Sequence, residues 1–200
     1  MFDHINPYPD FIYKNSTKLI VGTLPPPRFT TGELKERDVD FCYGSRDGQL
    51  WPILDRLFEL NLKFETTTEA IEQRKQFLIK RGIGISNIVN SAKREKVDAS
   101  DLGMQDVDLR DVVSILQKNP QIDTLLFMGG NSKNGPEYFF RRHLKEYNLA
   151  LSIVSNEVPR IHTFQLPESS RTIKTVSLTA PSGAANRAVG SLEAYRKMKA

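Results

Sequence analysis

The chain has 200 residues, 39% hydrophobic and 26% charged, with a formal net charge of +4. That balance fits one packed domain spanning 1–200. No apolar run approaches the roughly 18 residues of a membrane span, and a lone Cys42 excludes an internal disulfide framework and any cysteine-built zinc or iron–sulfur site.

The opening segment, MFDHINPYPDF, lacks a basic start followed by an apolar core, so no signal peptide is expected and the compartment is cytoplasmic, or nuclear in a eukaryote. Thr17 to Gly22 reads as a buried strand feeding a stiff loop of three prolines, Pro25 to Pro27. Leu50 to Phe58 has helical apolar spacing, with Pro52 tolerated in the first turn. Thr66 and Glu69 have capping-box spacing ahead of a helix through Lys80, and Gly82 to Val89 suggests a second buried strand. Val112, Ile115 and Leu116 share a helix face that Pro120 terminates.

Asp123 to Gly130 is the clearest strand-to-glycine junction, and Asn134-Gly135-Pro136 opens another helix. Leu149 to Val154 and Ile173 to Leu178 supply two more strands. Strands alternating with helices predict a three-layer α/β/α fold with a mostly parallel sheet of about four to five strands. Ligands of such sheets sit beyond the carboxyl ends of the strands. The turns after Gly22, Met128 and Leu178 are therefore the places to search.

His4, His143 and His162 have no metal-ligand spacing, and His143 reads as a surface residue. Three basic clusters, at 93–96, 141–145 and 196–199, read as solvated faces; the net charge is compatible with a nucleic-acid partner without selecting one. Trp51 reads as a hydrophobic anchor, whereas Tyr43, beside Gly44, could stack on a planar ligand.

Five stretches occur in order: GTLPPPRF, FCYGSRDGQLWPIL, GIGISNIVNSAKR, LLFMGGNS and TAPSGAANRA. Their order and spacing resemble the uracil-DNA glycosylase superfamily, nearest the mismatch-specific uracil/thymine glycosylases and the hypoxanthine-DNA glycosylase group. The likeness runs from about Lys18 to Lys197. It implies a uracil-DNA glycosylase-like fold and a monofunctional enzyme of base excision repair that uses water as nucleophile. It also implies a monomer that needs no metal or cofactor.

The resemblance further implies site residues. The base pocket would be built from Gly22, Thr23, Leu24, Pro25, Tyr43, Asn87, Met128 and Asn131, with Tyr43 stacking on the extruded base. Asn131 could equally cap the next helix. Pro181, Ser182, Gly183, Ala184, Asn186 and Arg187 would form the loop that enters DNA at the lesion. Arg28, Arg46, Lys93, Arg94 and Arg187 would meet the phosphate backbone, Arg94 alternatively orienting the pocket or forming a structural ion pair.

Two departures concern the water. Relatives carry Asp or Asn two residues after the first glycine, where this chain has Leu24, or an Asn in the second motif, where it has Gly48; the second motif's histidine is Ser45. Asp47 is then the candidate catalytic base, although Arg46-Asp47-Gly48 is also an ordinary turn. Its expected substrate is damaged or mismatched duplex DNA, with single strands also open. The alternatives are a catalytically impaired glycosylase-fold protein that binds such DNA, and an N-glycosidase acting on free nucleosides or a nucleotide-modifying enzyme on the same sheet.

Overall fold

The computed structural model describes residues 1–97 and 100–181. Its strands are β1 (Phe2–Ile5), β2 (Lys18–Gly22), β3 (Ile83–Asn87), β4 (Val89–Arg94), β5 (Gln105–Leu109), β6 (Thr124–Met128), β7 (Ser152–Ser155), β8 (Arg160–Gln165) and β9 (Thr172–Leu178). A six-stranded sheet takes the order β3-β2-β6-β9-β8-β7, and a smaller sheet the order β1-β4-β5. Strands β3, β2, β6 and β9 run parallel, while β8 and β7 continue the sheet antiparallel.

Among the described residues the α-helices are α1 (Pro27–Thr31), α2 (Leu50–Phe58), α3 (Thr68–Arg81), α4 (Val112–Lys118) and α5 (Pro136–Glu146). Successive strand residues point to opposite faces, and the apolar clusters divide β2 and β6 in that way. Leu19, Val21, Leu125 and Phe127 join Val112, Leu116, Phe139 and Leu144 of α4 and α5. Ile20 and Met128 join Trp51, Ala70 and Phe77 of α2 and α3. Burying each such large side chain contributes about 1.5–3 kcal/mol.

The sheet is mostly parallel, as expected, but has six strands rather than four or five. The added strand β8, RIHTFQ, alternates polar and apolar residues and pairs antiparallel with β9 along its whole length. The strand expected through Val89 breaks at Ile88. There the Ile88 amide donates to Gly22 O at 2.8 Å and its carbonyl accepts from Arg110 N at 2.8 Å, so the chain leaves the large sheet for β4. Helix α3 is capped one residue later than the spacing suggested. Thr67 Oγ1 accepts from Ala70 N at 3.3 Å, and Thr66 Oγ1 donates instead to Asp38 O at 3.0 Å.

Helix α5 starts as expected, with Gly135 at the N-cap and Pro136 at the first position. Its buried Glu137 accepts from Arg160 Nη2 at 2.6 Å, Ser177 Oγ at 2.6 Å and Arg141 Nε at 2.8 Å, tying α5 to β8 and β9. Burial by itself would raise this carboxyl. The hydrogen bonds from Ser177 and Arg141, with the two guanidiniums, outweigh it and hold Glu137 below the usual range. His143 is only 2% exposed rather than on the surface. The side of α5 that carries Phe140 and Leu144 also carries this ring, 3.2 Å from Asp111. No helix among the described residues is long and apolar enough to cross a membrane.

Candidate functional site

The parallel register sets the C-terminal ends of β2 and β3 side by side, pairing Gly22 with Asn87. A Cβ placed on Gly22 would lie 2.1 Å from the Tyr43 hydroxyl and 2.8 Å from Asn87 Oδ1. Only a glycine admits that approach. Tyr43 arrives from a loop whose geometry is over-determined. Val39 N donates to Gly44 O at 2.8 Å, Gly44 N donates to Phe41 O at 2.8 Å, and Trp51 Nε1 donates to Cys42 O at 2.9 Å. Gly44 has no room for a side chain, since a Cβ would sit 1.8 Å from Val39 O. Tyr43 itself holds φ of 59°, a conformation that costs a non-glycine residue on the order of 1 kcal/mol or more.

The Tyr43 hydroxyl is buried and has no hydrogen-bond partner among the described residues. Burial, reinforced by the nearby Cys42 and Asp101, pushes it well above its ordinary value. Asn87 is 5% exposed. The expected pocket residues Gly22, Tyr43 and Asn87 thus converge, with Thr23 adjoining them. Leu24 packs against the apolar cluster of α4 and α5, and Pro25 is buried.

At the end of β6, Met128 is buried in the other cluster, and Gly129, with φ of 149°, lies against Pro136 and Ala180. The loops after β6 and β9 therefore meet. Asn131 is exposed and does not cap α5. A neighbour that the motif pattern passed over, Asn134, does more: its Nδ2 donates to Asp101 O at 2.9 Å and Met104 O at 3.2 Å.

The basic residues divide into engaged and exposed. Arg28 forms a two-toothed pair with the fully buried Asp38, at 2.6 and 2.8 Å, and also donates to Ser45 Oγ at 2.9 Å. Asp38 accepts further bonds from the amides of Lys35 and Arg46. Burial alone would raise its carboxyl, but the Arg28 hydrogen bonds and these amides hold it at about 2. Arg94 is 2% exposed; its Nε donates to His4 Nδ1 at 2.7 Å and its Nη1 to Ser100 O at 2.5 Å. Lys93 is exposed beside Asp106 at 3.4 Å, and Arg46 is exposed near Asp47 at 4.0 Å.

Asp47 lies on the exposed side of its turn, 70% exposed, with Arg28 Nη2 at 3.2 Å. Pro181 accepts from Gln49 N at 3.0 Å, which brings the end of β9 beside this turn. Ser182, Gly183, Ala184, Asn186 and Arg187 lie outside the described residues. A surface cavity of about 430 Å³ adjoins the turn, lined among others by Arg37, Arg46, Asp55 and Arg56, but it includes none of Gly22, Tyr43 or Asn87.

Sequence patterns passed over Asp101. It opens a short 3-10 turn, Asp101–Gly103, between β4 and β5, and its Oδ1 accepts from Thr23 Oγ1 at 2.9 Å. Burial pushes its carboxyl up to about 6, against the smaller lowering effects of the Thr23 hydroxyl and the Arg94 charge. No local signal marks it, because its environment is made by residues far off in the chain.

No family model matches this chain, and no curated protein matches it at a significant level. Among solved structures, it is similar to the solution structure of a "putative uracil DNA glycosylase" from Methanosarcina acetivorans. The two share 16% identity and a TM-score of 0.60, over 99% of this chain and 95% of that one. At that identity the likeness shows a common fold.

Proposed function

We propose that this chain is a monofunctional DNA N-glycosylase that hydrolyses the N-glycosidic bond of a damaged or mismatched base, of uracil or hypoxanthine type, flipped from DNA. The observation that carries the proposal is the convergence of Gly22, Tyr43 and Asn87 at the C-terminal edge of the parallel strands. A planar base set there meets an aromatic side chain, an amide that can hydrogen-bond its edge, and a glycine that lets backbone approach. Donors fixed around the leaving base stabilise the charge it acquires. The fold held in common with the Methanosarcina protein supports the same class of activity. The proposal includes a single three-layer domain, acting as a cytoplasmic monomer in base excision repair.

Extrusion of a base costs a few kcal/mol, least for a damaged or mismatched pair, and stacking on an aromatic returns about 1–3 kcal/mol. The exposed Arg46 and Lys93 are the described cations placed to meet phosphates. Arg28 and Arg94 serve the interface indirectly, because their guanidiniums hold the 35–47 loop and the β1–β4 pair. The segment from Pro181 to Arg187 is proposed as the loop that enters the duplex.

A second function, binding of modified DNA without turnover, has its own support. Leu24, partly buried, packs against the core, and the Asp47 carboxylate faces two guanidiniums. An excision panel separates the two. Duplex and single-stranded oligonucleotides carrying uracil, hypoxanthine, xanthine, mismatched thymine or hydroxymethyluracil are incubated with the protein, and alkali reveals abasic sites. Cleavage at one lesion, lost in Tyr43→Ala while duplex binding survives, is the expected result. Retention of a lesion without any abasic site would establish the binding protein instead.

A further inference from the structure

We propose that Asp101 is the carboxylate that holds and deprotonates the hydrolytic water, with Thr23 as its positioning residue; this deepens the glycosylase function proposed above and rests on it. Thr23 follows Gly22, the residue against which Tyr43 and Asn87 converge, and its hydroxyl donates to Asp101 Oδ1 at 2.9 Å. Asp101 also lies close enough to Tyr43 to raise that hydroxyl further. Asn134 fixes the carbonyl of Asp101 from the β6–α5 loop. The residue is therefore held at two points, its carboxylate by Thr23 and its main chain by Asn134, and its Oδ2 makes no hydrogen bond among the described residues. A water bound there has an anionic acceptor beside the site proposed for the base.

The competing carboxylates are occupied. Asp38 accepts four hydrogen bonds. Asp10 takes the Arg110 guanidinium at 2.7 Å together with the Ser86 hydroxyl. Asp47 is solvated and faces Arg28 and Arg46. Asp101, by contrast, faces, among the described residues, the Arg94 charge from β4, behind which stands His4 of β1, and the Tyr43 hydroxyl from the 38–49 loop. Burial and then Arg94 hold His4 at about 4, so it stays neutral where Asp101 titrates.

In the step itself, the C1′–N bond breaks and its electron pair leaves on the base. The water oxygen forms the new C1′–O bond, and the proton that water loses passes to Asp101. The departing base then takes up one proton from Asp101 or solvent, which completes a hydrolysis with no other reactant. A carboxyl near 6 is ionised at neutral pH yet basic enough for this transfer.

The test is single-turnover excision of the lesion found by the panel, from pH 5 to 9, with duplex affinity measured alongside. Wild type is expected to rise through an acid limb near pH 6. Asp101→Asn keeps the acceptor for Thr23 but removes the base. It should lose on the order of 100-fold or more in rate, keep its affinity for the lesion duplex, and lose the acid limb. Thr23→Val, which removes only the hydroxyl that favours the ionised form, should shift the limb upward. A packing role for either residue would leave the limb in place. Excision by Asp101→Asn within a few-fold of wild type, or an unmoved limb in Thr23→Val, overturns the assignment while the enzyme class stands. A wild-type chain that excises nothing overturns both.

Discussion

Asp101→Asn also makes a prediction that needs no substrate: the variant is more stable than wild type above pH 6. A carboxyl displaced from 3.8 to about 6 costs roughly 3 kcal/mol once both states are ionised, at 1.36 kcal/mol per pH unit. Residual solvent contact reduces that to about 1–3 kcal/mol. The sign follows from proton counting. Between pH 3.8 and 6 the folded state holds a proton on Asp101 that the unfolded state has released, so the Asp101 contribution to stability falls as pH rises through this window. The cost is absent below it and complete above it. Asparagine does not ionise, so the difference between the two proteins should open from pH 4 to pH 6 and then stay level.

Urea midpoints at pH 4, 5, 6 and 7.5 measure it. Groups that titrate the other way, Asp38 and Glu137 among them, cancel in the difference. A difference that is flat across this range, or that favours wild type at neutral pH, would show that Asp101 is not held against its own ionisation. The raised carboxyl would then be no candidate base. A stability cost concentrated at a functional carboxylate is a common trade between activity and stability.

Gly22→Ala should destabilise by about 1–3 kcal/mol, because the added methyl meets Tyr43 at 2.1 Å; combining it with Tyr43→Ala should recover part of the loss in denaturant melts. Asp38→Ala leaves the Arg28 guanidinium without its main partner, and a cost of about 3–5 kcal/mol is expected. In wild type the Asp38 contribution is complete above about pH 4 and lost as pH falls towards 2, so acid titration of the variant should be shallower. Lesion-duplex binding should weaken as salt rises, because phosphate contacts release counterions. Arg46→Ala should flatten that slope, whereas binding that ignores salt would exclude Arg46 and Lys93 as phosphate contacts.

Much of the fold was legible because local rules and tertiary needs agree. The apolar run of β2 ended by glycine, the Gly135-Pro136 start of α5, and the TLLFM strand before Gly129 were each read at their observed positions within a residue or two. The strands β1, β4, β5 and β8 were not seen. FDHI, QDVDL and RIHTFQ mix charged and apolar residues, and their pairing depends on partners supplied by β4 and β9. The five motifs also placed Gly22, Tyr43 and Asn87 in one neighbourhood, since each ends a strand or edges a loop at the same end of the sheet.

What the sequence determined by itself was the α/β class, the helices α2 to α5, and the edge of the sheet where a ligand site would form. Apolar periodicity and glycine or proline punctuation act over a few residues and need no distant partner. Tertiary structure decided the fate of the charged groups. Arg28 meets Asp38 ten residues away, Arg94 meets His4 ninety away, and Asp101 meets Thr23 seventy-eight away. Whether a guanidinium reaches solvent or a buried carboxylate, and whether a carboxyl sits at its usual value or near 6, depends on desolvation and on charges that the fold alone brings together.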